Sequence, residues 1–171
     1  MRSRVVNIGL VVLMLTAVLA FAPAQSQNSQ TDSPPRLEEV LAFDLTLERL
    51  AAQVEAGDTG GIPKDRYLTI NGVVSSRQLV NDSEQDYLGV LELSSGSWIE
   101  GEDLEVYRCY VQLRGPQFVG TIPKPRSREA SENEIPLHAK ILLVGRYLGY
   151  GEDQQGNRFP VLLAEDFRLL N

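Results

Sequence analysis

Two short segments place an aromatic ring beside a guanidinium: Tyr107-Arg108, with Tyr110 close behind, and Arg146-Tyr147. Such a pairing suits a flat or anionic ligand. The ring offers a stacking surface, and the guanidinium offers a rigid fork of donors for phosphate, carboxylate or hydroxyl oxygens. Tyr107, Arg108, Tyr110, Arg146 and Tyr147 are therefore the candidate ligand-binding residues. The competing explanation is packing, because tyrosines are common on strands and pair well across them.

Other reactive side chains are few. His138 is the single histidine, and no nucleophile–base–acid order surrounds it, so no catalytic residue is assigned and the chain is read as a non-enzyme. Cys109 is the single cysteine, which excludes an intramolecular disulfide and a cysteine-rich zinc site. Within an apolar run it reads as a small buried side chain. The acidic turns Glu100-Gly101-Glu102-Asp103 and Glu152-Asp153 lack the alternating spacing of a dedicated calcium loop. No metal and no cofactor are expected. Lys124, Arg126 and Arg128 form a local basic cluster, but Glu129, Glu132 and Glu134 follow at once and cancel much of its field. Asn81-Asp82-Ser83 fits a glycosylation acceptor.

The N-terminus speaks of location. Arg2 and Arg4 precede an almost unbroken apolar run, Val5 to Phe21, which ends at Ala22-Pro23-Ala24. A basic start, an apolar core and a small-x-small site form the layout of a secretory signal peptide. Residues 1–24 are therefore expected to be removed, leaving a secreted, periplasmic or extracellular protein. An uncleaved N-terminal membrane anchor is the alternative, and the membrane enters only through that segment. The net charge of −7 becomes −9 once Arg2 and Arg4 are lost. So acidic a chain is repelled by phosphate backbones. Nucleic acid is accordingly not expected as a partner, and an envelope protein or a glycan is.

Behind a Gln/Ser/Pro-rich linker at 25–35, apolar residues from Leu37 to Val54 recur near a helical period. Asp44 interrupts the stripe and Gly57 ends it. Residues 36–56 are thus expected to form one broken or two short amphipathic helices. The period then changes to two. Strands are predicted at 67–74, 87–93, 104–111, 139–150 and 159–169, with polar turns at Asn81–Asp86, Ser94–Ser97 and Glu152–Asn157. Trp98 falls between the second and third strands. Residues 114–138, carrying Pro116, Pro123, Pro125 and Pro136, form a long insertion in which only Arg126–Glu134 has the makings of a short helix. Gly72 and Gly145 lie inside strands, where glycine marks a bend, a bulge or a close approach.

Five strands, two of them bent at glycines, with a long insertion between the third and fourth, follow the order of an OB-fold. The expected fold is mainly β: a five-stranded OB-fold barrel over residues 36–171 with an N-terminal amphipathic helical segment. Arg108 and Arg146 are expected to project from one barrel face beside Tyr110 and Tyr147. The helix running into Ile70-Asn71-Gly72-Val73, the cysteine within Val106-Tyr107-Arg108-Cys109-Tyr110-Val111, and the repeated glycine of Leu143-Val144-Gly145 resemble the "tRNA anticodon-binding-like" OB-fold domains of exported bacterial proteins. The resemblance implies a non-catalytic binding or accessory module of the cell envelope. Binding of nucleic acid or oligosaccharide through the aromatic and arginine face is the alternative.

Overall fold

In the computed structural model, residues 36–99, 103–125 and 131–170 are described. The expected signal peptide and linker and residues 126–130 of the insertion lie outside them, as do residues 100–102 and 171. The barrel follows from alternation. In β2 (Tyr67–Asn81), Leu68, Ile70 and Val74 point inward and are buried. The same period buries Leu91 and Leu93 in β3 (Leu88–Ile99), and Cys109, Val111 and Leu113 in β4 (Asp103–Arg114). Ile141, Leu143 and Tyr147 do so in β5 (Lys140–Glu152), and Leu162 and Ala164 in β6 (Arg158–Leu170). The strands run β2-β3-β4-β6-β5, and β2 pairs with β5 to close the circle. The β4–β6 contact is parallel and the other barrel pairings are antiparallel. This is the closed five-stranded barrel of an OB-fold.

Before the barrel come α1 (Leu37–Val40), the two-residue β1 (Leu41–Ala42), which runs parallel beside β2, and α2 (Leu47–Glu55). The break at Asp44 was legible, but the cap is Thr46, whose hydroxyl accepts from the Arg49 amide at 3.4 Å. Asp44 contributes its carbonyl instead, to the Arg49 guanidinium at 2.7 Å. Gly57 stops α2 in a left-handed conformation, φ +77°. The helix buries Leu47, Leu50, Ala51 and Val54 and packs on β4 and β6. Among the described residues no helix is long and apolar enough to cross a membrane.

Three expectations need correction. Ser94–Ser97 is not a loop: β3 runs through it to Ile99, because it stays in register with β4 from Ser94↔Arg108 to Ile99↔Asp103. A cross-strand ladder overrides the turn preference of serine and glycine. β2 likewise extends to Asn81, paired with β3 as far as Leu88. Trp98, placed between strands by the sequence, sits on this strand extension and is 69% exposed.

Both strand glycines are sites of close approach. A Cβ on Gly145 would lie 2.5 Å from the Leu163 carbonyl oxygen, at a register shift between β5 and β6. A Cβ on Gly72 would lie 3.1 Å from the Leu93 Cβ.

The insertion closes one end of the barrel. A short turn at Pro116–Phe118 carries Phe118 inward, and Ile122 and Ile135 follow it into the core. The Tyr87 hydroxyl is buried against Thr121 Oγ1 at 3.2 Å and accepts from the Ile122 amide at 3.3 Å. Arg77 reaches across to Glu134 at 2.7 Å and to the Ile135 carbonyl. The helix expected at Arg126–Glu134 is absent from its described part, which is a turn.

Candidate functional site

The outer surface of β3, β4 and β6 gathers the chemistry. Glu92 opposes Tyr110 and Ser94 opposes Arg108 in the β3–β4 ladder, so these four share a face. The parallel β4–β6 register sets Tyr110 beside Val161 and brings Phe159 alongside. The Tyr110 and Phe159 rings meet at 4.6 Å between centroids, tilted by 52°. Arg108 lies over Phe159, its guanidinium carbon 5.6 Å from the ring centroid. A groove of about 410 Å³ runs beside them, lined by Ala51 and Glu55 of α2, Glu92, Ser94, Val106, Tyr107, Arg108, and Asn157 and Arg158 from the β5–β6 hairpin.

The hairpin tip holds Arg108 in place. Asp153 takes the amide protons of Gln155 and Asn157, both at 2.9 Å, and the Asn157 side chain at 3.0 Å. The two amides bind Oδ1, and the Asn157 side chain shares Oδ2 with the Arg108 guanidinium at 2.6 Å. These bonds, the Asn157 side chain first, hold the Asp153 carboxyl below its ordinary range. Arg158 pairs with Glu152 at 2.9 Å and lies 4.9 Å over the Tyr150 ring. Burial, then a hydrogen bond to Glu92, pushes the Tyr110 phenol up. At neutral pH the Asp153 carboxylate is therefore ionised and the Tyr110 phenol neutral.

Only two of the five predicted residues share this site as expected. Arg108 and Tyr110 are two apart and lie on one face. Tyr107 follows the opposite parity: it lines the groove's edge, packs against the core and gives its hydroxyl to Glu105. Tyr147 is in the core, 5% exposed, and is removed from the candidate face. Adjacent residues of a strand point to opposite faces, so Arg146 and Tyr147 cannot both face outward. Arg146 is outside but elsewhere, over Tyr67 at 5.6 Å and bound to Glu165 at 2.6 Å. It does not line the groove.

Phe159, Asn157, Arg158, Glu92 and Asp153 were missed. For Glu92 the signal lies in the β3–β4 ladder; for the other four it lies in the β4–β6 register, which joins segments fifty residues apart and leaves no local trace. Alternation along β4 was the one available clue.

No family model matches the chain, and no curated protein is significantly similar to it. Solved structures with a similar fold include the SSB of Plasmodium falciparum in complex with ssDNA, at 10% identity and a TM-score of 0.41, covering 61% of this chain and 94% of that one. Another is a small single-stranded DNA-binding protein from Mycoplasma pneumoniae, at 10% identity and a TM-score of 0.37, covering 61% of this chain and 91% of that one. A third is a deletion mutant of the single-stranded DNA-binding protein from Thermus aquaticus, at 16% identity and a TM-score of 0.35, covering 61% and 50%. Beside these single-stranded DNA-binding proteins, the expectation that set nucleic acid aside as a partner is corrected, because its ground, net charge, does not exclude one. Net charge is a sum over the whole chain, whereas a barrel face meets its ligand through a handful of local groups.

Proposed function

We propose that the domain binds an extended single-stranded nucleic acid across the outer face of β3, β4 and β6. The observation that carries this reading is the Tyr110–Phe159 ring pair with Arg108 over it, at the border of an open groove. Tyr110 and Phe159 are half-buried, and rings left partly open on barrel strands take unstacked bases, at about 1–3 kcal/mol per base. Arg108 and Arg158 reach toward a phosphate, but each already holds a carboxylate. Stacking thus outweighs charge. For two phosphate contacts the slope of log affinity against log salt is about −1.4, since each contact on a single strand contributes about −0.7. Fluorescence anisotropy with a labelled oligothymidylate across a salt series tests this. Binding with that shallow slope, lost in Tyr110→Ala with Phe159→Ala, supports the reading. No saturable binding, or binding indifferent to both rings, removes it.

A second reading rests on the carboxylates. Glu55, Glu92 and Asn157 line the same groove, and acids and amides beside a ring suit the hydroxyls of a sugar. A neutral oligosaccharide binding with no salt dependence would select it. We also propose that the domain is non-catalytic and acts outside the cytoplasm, as an envelope module of the exported OB-fold type. Support for location comes from the sequence of residues 1–24. The mass of the exported chain, beginning at Gln25 or retaining Met1, tests it.

A further inference from the structure

Beyond the groove, the β3–β4 hairpin continues as an arm whose chemistry differs from the rest of the barrel. Trp98 opposes Leu104 and Gly96 opposes Val106, so Trp98, Leu104 and Val106 share one face. They are 69%, 53% and 60% exposed. Three large apolar side chains side by side in water are a liability unless something covers them. An open depression of about 600 Å³ adjoins them, with Gly96 in its floor and Val73 and Leu170 in its far wall.

The backbone is open as well. Among the described residues, β2 pairs with β3 only as far as Ser94, so from Ser95 to Ile99 one edge of β3 has no strand beside it. Charge says what fits. From Trp98 to Val106 the sequence carries Glu100, Glu102, Asp103 and Glu105 and no lysine or arginine. Asp103 and Glu105 are exposed, and Glu48, held by the Ser95 hydroxyl, stands at the base of the free edge. That hydroxyl keeps the Glu48 carboxyl below its ordinary range, so it is ionised. Among the described residues Lys140 is the one cation lining the depression.

We infer that the β3–β4 arm docks an extended segment of a partner protein in which lysine or arginine alternates with apolar residues, added as a strand along Ser95–Ile99. Alternation in a strand puts the partner's apolar side chains over Trp98, Leu104 and Val106 and its cations toward Asp103, Glu105 and Glu48. A second copy of this chain is disfavoured at the same edge, because it would bring two acidic arms together.

Trp98 is the only tryptophan in the chain, so its emission reports on the arm directly. The full chain is titrated with a blocked peptide of alternating lysine and valine, and separately with one of alternating glutamate and valine. The inference requires a saturable blue shift with the lysine peptide alone, weaker at high salt. It also requires affinity to drop in Asp103→Asn with Glu105→Gln and to be kept in Asp82→Asn, which removes an exposed acid elsewhere on the barrel. Equal shifts with both peptides, or none with either, overturn it. So does a blue shift that follows protein concentration without peptide, which would mean a second copy, or one produced by phosphatidylcholine vesicles.

Discussion

The two ends of the β3–β4 hairpin both carry apolar residues and meet opposite fates. At one end, where Leu88 opposes Arg114, the Pro-rich insertion folds back and buries Phe118, Ile122 and Ile135 beneath it. At the other, where Ile99 opposes Asp103, Trp98, Leu104 and Val106 stay in water. Apolar residues occur at both ends. What differs is whether a second segment returns to cover them. The insertion returns because backbone bonds pin it: the His138 amide donates to the Val74 carbonyl at 2.9 Å, and the Val74 amide donates to the Ala139 carbonyl at 3.0 Å. One end therefore holds the fold together and the other is free to bind.

The sharpest break of this contrast is a matched pair of truncations. Ile135 is fully buried, and Ile135→Ala is expected to cost about 2–5 kcal/mol through lost burial and a cavity. Leu104→Ala on the arm should change stability by no more than about 0.5 kcal/mol, as exposed substitutions do. Urea midpoints of the two variants measure both. Equal losses would show that the arm is packed in solution and that the ends do not differ.

Glycines give a second, smaller contrast. A Cβ on Gly89 would meet Ile122 Cδ1 at 2.6 Å under the insertion, with the Tyr87 hydroxyl behind it at 3.4 Å. Gly89→Ala should cost about 1–3 kcal/mol by overpacking. A Cβ on Gly96 meets the Leu104 tip at 3.2 Å and the Glu105 carbonyl oxygen at an ordinary 3.9 Å, and Leu104 has room to swing. There alanine's better strand entropy, about 0.5–1 kcal/mol, should leave Gly96→Ala neutral or slightly stabilising. Thermal melts of the two variants are the check.

How much of this was legible follows from the range of the interactions. The closed barrel was readable because period-two burial in β2, β4, β5 and β6 is local. Gly72 and Gly145 were open to a bend, a bulge or a close approach, and both are close approaches. Gly145 is the tighter, since it faces a carbonyl, whereas Gly72 faces a side chain. Ser94–Ser97 was misread because serine and glycine preferences are also local and a ladder overrules them. The site was half legible. Arg108 and Tyr110 share a face by parity alone. Phe159 and Asp153 arrive through the β4–β6 pairing and the hairpin tip, which no nearby residue encodes. Tyr147 was misplaced against a rule already in hand, since neighbours in a strand point apart.

Inward parity also makes Cys109 a probe of the wall behind the site. Burial pushes its thiol up to about 12. The fold holds this proton where the unfolded chain releases it. The contribution is complete below the thiol's ordinary value of 9.0 and is lost as pH rises toward about 12. Wild type should therefore lose more urea stability than Cys109→Val across that alkaline window, while both keep the same slope at neutral pH. An identical alkaline slope would mean that water reaches the thiol and that the wall is open.

The smallest stability effect carries the most information about function. Arg108–Asp153 and Arg146–Glu165 are both 2.6 Å pairs, with side-chain exposures of 39%/20% and 46%/35%. Each is half in solvent and lies over an aromatic ring. Partly exposed pairs of this kind contribute about 0–1 kcal/mol, so Arg108→Ala and Arg146→Ala should shift the urea midpoint equally and slightly. Ligand binding should separate them. Arg108 lines the groove and touches the Phe159 ring, and its loss removes one phosphate contact and lowers the salt slope by about 0.7. Arg146 stands apart from the groove, and its loss should leave oligonucleotide affinity and slope unchanged. Equal weakening by both would place the ligand across the whole outer wall rather than at the groove.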